Sequence, residues 1–121
     1  MSANFYCWEP SLGLRAEAED FPDQVDQLYE QADKQLPTAL MLLLVERLLS
    51  RYPDLDDEDA DTVWAAGPLK SEIIGQFINM AVSWSRCDDE VIDFIRSTAH
   101  GLGLHFYDPQ DELFYPAPHA S

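Results

Sequence analysis

The residues best suited to chemistry in this chain are carboxylates. Asp54, Asp56, Asp57, Glu58, Asp59 and Asp61 put six acids into eight residues. A calcium loop of the helix–loop–helix type needs oxygen ligands at positions 1, 3 and 5, glycine at 6 and a bidentate glutamate at 12. Counted from Asp57, the ligand positions fall on Asp57, Asp59 and Asp61, but Thr62 stands in the place of the glycine and Pro68 in that of the glutamate. The loop has the charge of a cation site without its geometry, and no metal is expected there. Two readings remain: a solvated, self-repelling loop, or a contact surface for a basic partner, since Arg51 and Lys70 are the nearest bases. A second acidic run, from Ala16 to Asp33, holds seven acids and no base. Like charges at helical spacing cost a few tenths of a kcal/mol per pair, and interleaved lysines would remove that cost. Asp23, Asp26, Glu30 and Asp33 on this run, with Asp54 to Asp61 on the loop, are the candidate partner-binding acids.

The nucleophile and metal ligands do not converge. Cys7 and Cys87 stand apart, and His100 and His105 flank Gly101-Leu102-Gly103 without zinc spacing. A site built from Cys87, His100 and Asp108 would have to assemble in space, and the acids following Cys87 would raise its thiol pKa rather than lower it. No glycine pattern makes a phosphate loop. The chain is expected to be no enzyme, to hold no cofactor, and to have no catalytic residues. Tyr6, Trp8, Trp64, Trp84, Tyr107 and Tyr115 are core residues on the ordinary reading. If some face solvent they would anchor a protein partner, and Trp8 and Trp64, flanked by acids or turns, are the choices for that role.

These groups need a scaffold. Asn4 to Trp8 alternates Phe5 and Cys7 against Tyr6 and Trp8 and reads as a strand. Phe21, Val25, Leu28 and Ala32 share one face of a helix with Asp20 as N-cap. A second helix starts near Pro37 and ends at Tyr52-Pro53, with apolar residues almost all round it. Short strands are expected at Thr62 to Ala66, Phe77 to Trp84, Leu104 to Tyr107 and Leu113 to Tyr115. A third helix is expected from about Ser85 to Gly101, with a hydroxyl cap. The order predicts one α+β domain over 1–121, a ferredoxin-like sandwich with a mostly antiparallel sheet of four to five strands and about three helices on one face. Its core runs from about residue 3 to 116, and the tail Ala117 to Ser121 is expected to fray.

Composition narrows the role. The 121 residues carry 23 acids against 7 bases, a formal charge of −16, yet 46% are hydrophobic and 12% aromatic. Such a chain has too much to bury to be a disordered acidic tail, and it lacks the basic footprint of a nucleic-acid binder. It has no apolar run of membrane-spanning length. Two isolated cysteines suit a reducing compartment, so a cytoplasmic protein is expected. Neither nucleic acid nor membrane is expected as a partner; a homodimer stays open.

Trp64 to Leu69, with its Gly67-Pro68-Leu69 turn, Trp84-Ser85 at a strand end, Ala99-His100-Gly101-Leu102 and the ending Tyr107-Asp108-Pro109-Gln110 form a pattern. It resembles that of small acidic bacterial immunity proteins encoded beside polymorphic toxins, including type VI secretion effectors. The resemblance spans roughly residues 50 to 116. It implies an antitoxin that binds and neutralises a cognate secreted toxin. Charge suggests the target, since nuclease and nucleotide-targeting toxins have basic clefts that a carboxylate-rich surface can fill. The alternative is a small regulatory or ligand-binding module on the same fold.

Overall fold

The sheet begins with the chain. In the computed structural model, which describes residues 2–31, 35–54 and 62–118, β1 (Ser2–Trp8) is the central strand. β3 (Phe77–Ser83) lies antiparallel on one side of it, with Phe5 opposite Met80 and Trp8 opposite Phe77. β4 (His105–Asp108) lies antiparallel on the other, with Tyr6 opposite Tyr107. Two short strands form the edges, β2 (Ile73–Ile74) beside β3 and β5 (Leu113–Tyr115) beside β4, giving the order β2-β3-β1-β4-β5. The α+β class read from the sequence is the one the chain adopts.

Three helices pack on this sheet. α1 (Phe21–Glu30) carries Pro22 in its first turn, where a missing N–H costs nothing. Asp20 sits at the N-cap position, but its side chain accepts from Gln24 Nε2 at 2.8 Å instead of capping a backbone N–H. α2 (Ala39–Arg51) is capped by Thr38, whose hydroxyl accepts from Met41 N–H at 3.3 Å and donates to Glu9 at 2.5 Å. α3 (Asp89–Gly101) is capped by the Asp88 carboxylate rather than by a hydroxyl. It ends on Gly103, which takes the left-handed conformation (φ 75°) while Leu104 N–H reaches back to the Ala99 carbonyl.

The helices divide between the two faces, which corrects the expectation of one. Phe5, Cys7, Ile78, Met80 and Phe106 pack against Met41, Leu44 and Leu48 of α2 and Val91, Ile95 and Ala99 of α3. The alternate residues Tyr6, Trp8, Phe77 and Tyr107 pack against Phe21 and Val25 of α1. The physical reason is visible where β1 meets β3: Tyr6, Trp8 and Phe77 make the second face aromatic there, so it too has to be covered.

The strand expected at Thr62 to Ala66 reduces to one bridge, Trp64 to Val82. Ala65 N–H bonds to Ala81 and the Val63 carbonyl accepts from Ser83, each at 2.8 Å, before Gly67-Pro68 turns the chain away. β2 was not foreseen. It exists because Gly75 (φ 58°) opens a two-residue turn that folds Ile74 back onto Phe77. The C-terminal boundary also moves. Ala117 is buried, and its N–H donates to His105 Nδ1 at 2.9 Å.

Candidate functional site: an acidic tyrosine cleft

α1 is only ten residues long and leaves part of its sheet face open. Along it, Pro22, Asp26 and Tyr29 follow at steps of four and three, a stripe that runs beside the buried Phe21 and Val25. That stripe forms one wall of a cleft of about 370 Å³. Tyr6 from β1, Asn79 from β3 and Tyr107 from β4 form the floor, and Pro109 and Glu112 from the β4–β5 turn close the end. The volume lies at the small end of the roughly 300–1,000 Å³ of ligand-binding clefts.

The cleft is an aromatic box. Tyr6 and Tyr107 stack with centroids 6.2 Å apart, and Phe21 meets Tyr107 edge-on at 5.0 Å. Tyr29 accepts a hydrogen bond from Asn79 Nδ2 at 3.0 Å, while Asn79 Oδ1 is buried without a partner. The Tyr6 phenol is pushed above its ordinary pKa, first by burial and then by Tyr29, Tyr107 and Asp26. Tyr107 is pushed the same way by burial, then Glu112 and Asp108. The phenols therefore stay neutral, and the charge in the cleft comes from Asp26 and Glu112. Among the described residues no Lys or Arg lines it. An adjoining hollow shares Phe21, Pro22, Tyr107 and Glu112 and adds Glu17 and Glu19.

Of the acids singled out from the sequence, Asp23, Asp26 and Glu30 are exposed on α1 and only Asp26 lines the cleft. Asp33, Asp56, Asp57, Glu58, Asp59 and Asp61 lie outside the described residues. Asp54 is half-buried and occupied, its carboxylate accepting from Leu69 N–H at 3.0 Å. The two tryptophans chosen as anchors are corrected. Trp8 is 0% and Trp64 2% exposed. Trp8 stacks among Phe21, Phe77 and Phe114, and Trp64 Nε1 donates to the Tyr52 carbonyl. The exposed tryptophan is Trp84, at 48%. Tyr29 and Glu112 were missed. The signal for Tyr29 was its three-residue step from Asp26; nothing local marks Glu112.

The pattern residues have visible structural work. Asp108 is 5% exposed and accepts from the Gln110 backbone N–H at 3.0 Å and from Gln110 Nε2 at 2.7 Å. So oriented, the Gln110 amide pairs with Asn4, accepting from its N–H at 2.7 Å and donating to its carbonyl at 2.8 Å. Continued two residues, the β1–β4 register would set Asn4 opposite Pro109, which has no N–H to give. The Gln110 side chain thus stands in for a peptide unit.

Both cysteine thiols are pushed up: Cys7 by complete burial, Cys87 by burial and then by Asp108, Asp88 and Asp89. Neither is poised as a thiolate. Among the described residues no group of three or more His, Cys, Asp or Glu side chains is placed to hold a metal ion, and no helix is long and apolar enough to cross a membrane. No family model, curated protein or solved structure matches the chain.

Proposed function

We propose that this protein is a cytoplasmic, non-enzymatic immunity protein that neutralises a basic toxin by laying its α1 face into the toxin's substrate cleft. The observation that carries the reading is the uncompensated charge of that face. Asp23, Asp26 and Glu30 stand on α1 without a single base on the helix, beside a cleft that adds Glu112. Asp26 is three residues from Asp23 and four from Glu30, so the acids weaken the helix they stand on. A positive surface would turn that repulsion into attraction and speed encounter steeply at low salt. A toxin acting on nucleic acid or nucleotides supplies such a surface. The sequence resemblance to immunity proteins supplies the biological setting.

Co-expression with the product of the adjacent reading frame tests this. The protein is expected to restore growth. A Asp23→Lys, Asp26→Lys, Glu30→Lys variant that keeps its circular dichroism spectrum is expected to lose the rescue, and association of the wild type is expected to slow with added salt. Full rescue by the folded triple variant would overturn the reading.

The cleft itself favours a second reading, a module for a small cationic ligand. Native mass spectrometry of the purified protein separates the two, since a retained small molecule is expected only for the second.

A further inference from the structure

On the side of α2 and α3 the chain shows how it holds its own arginines. Arg51 sits over two rings, 5.4 Å from the Tyr52 centroid and 5.0 Å from that of Phe94, and pairs with the Glu90 carboxylate. Arg96 lies 5.0 Å from the Tyr115 centroid and pairs with Asp93 at 2.9 Å. In both cases a guanidinium lies on an aromatic face while a carboxylate takes its edge.

The cleft beside α1 holds the same set of groups with no arginine of its own. Its rings are Tyr6, Tyr29 and Tyr107, and its carboxylates are Asp26 and Glu112, brought from two different elements. Its hydrogen-bonding groups are mostly acceptors or hydroxyls, and the orphaned Asn79 Oδ1 is another acceptor. A guanidinium has five N–H donors in a flat fork and no acceptor. An anion would meet two carboxylates with no base among the described lining groups, and an apolar group would use the rings but neither carboxylate.

We propose that this cleft receives one arginine side chain of the basic partner, its guanidinium flat against the tyrosine rings and its N–H groups shared between Asp26 and Glu112. This rests on the docking face argued above and names the anchor within it. The guanidinium would enter from the open side of the cleft. The surrounding acids Asp23 and Glu30 would attract the partner, while the cleft would fix its register.

The test needs no toxin. The full chain is titrated with N-acetylarginine amide, and separately with N-acetylcitrulline amide, its neutral counterpart of nearly the same shape. Resonances of the tyrosine rings are followed by NMR. Saturable shifts at Tyr6, Tyr29 and Tyr107 are expected with arginine and not with citrulline. Asp26→Asn and Glu112→Gln, both at exposed positions, are each expected to weaken arginine binding about fivefold, as for a solvent-accessible ion pair worth about 1 kcal/mol. Equal shifts from citrulline, or arginine shifts spread over the acidic surface without the tyrosines, would overturn the proposal. The two readings also fail separately. If a toxin is neutralised and the Asp26→Asn, Glu112→Gln double variant neutralises it equally well, the arginine anchor is wrong and the acidic face stands. If arginine saturates the cleft but no toxin is neutralised, the anchor chemistry stands and the immunity reading falls.

Discussion

The two faces of the sheet are built to different ends. The face under α2 and α3 is closed: two thirteen-residue helices cover it, Leu44, Leu48, Ile95 and Ala99 are fully buried, and Arg51 and Arg96 are engaged on the exposed surface beside it. The face under α1 is covered by ten residues. Its aromatic layer reaches the surface as tyrosines, and its acids have no bases on the helix. The closed face spends its rings and carboxylates on its own arginines; the open face presents the same groups outward. A protein under selection for stability alone would have closed both.

Core truncation should expose the contrast most strongly. Leu44→Ala, at a fully buried site on the closed face, is expected to cost about 3 kcal/mol in chemical denaturation. Leu28→Ala, half-buried on α1, is expected to cost about 1 kcal/mol. Equal losses would erase the distinction between the faces. Next comes the clamp at the rim of the open face. Gln110→Ala removes both bonds to Asn4 and a partner of buried Asp108, and is expected to cost about 1–2 kcal/mol. Loss of amide-exchange protection at Asn4 would locate the damage.

A smaller effect has the opposite sign. Where the closed side needs a left-handed residue it uses Gly103, but the rim of the cleft uses Glu112 at φ 54°. Glu112→Gly relieves that conformation and is expected to raise stability by about 0.5 kcal/mol, the left-handed penalty less the extra chain entropy of glycine. It should also lower arginine affinity, the pattern of a residue kept for binding rather than folding. The smallest effect concerns pH. Burial holds the His105 imidazole below its ordinary pKa, and its neutral Nδ1 accepts the Ala117 N–H. The unfolded chain takes up that proton near pH 6.5 while the folded chain resists it. His105 therefore contributes fully above about pH 6.5 and loses its contribution as pH falls through the lowered folded value. Against His105→Gln, which does not titrate, the wild type should lose relative stability only on the acid side.

Periodicity carried most of the elements because their apolar faces are long enough to show. α1 was legible from Phe21, Val25 and Leu28, and β3 from Ile78, Met80 and Val82. β2 was not, since two residues have no period and only Gly75 marks its turn. Placement of the helices failed for a different reason. Tyr6 and Trp8 alternate with Phe5 and Cys7, but alternation alone does not say that both faces of a strand are covered. The tryptophans failed because flanking acids and turns do not report burial: Trp64 lies next to a turn and is inside, while Trp84 lies in the turn after β3 and is outside. The acids on α1 could be read locally. The cleft could not, because Tyr6, Asp26, Asn79, Tyr107 and Glu112 meet only after the sheet has brought distant stretches of chain together.

The central position of β1 has a consequence for how the molecule comes into being. Ser2–Trp8 is synthesised well before its hydrogen-bonding partners, Phe77–Ser83 and His105–Tyr107, and Asn4 waits for Gln110. At roughly 5–20 residues per second, several seconds separate the making of this aromatic strand from the arrival of its neighbours. During that time it is exposed. Folding dominated by such distant pairings is slow. The cleft beside α1 thus has no nascent form: its floor and rim, from Tyr6 to Glu112, come together only after the chain has been made through the β4–β5 turn.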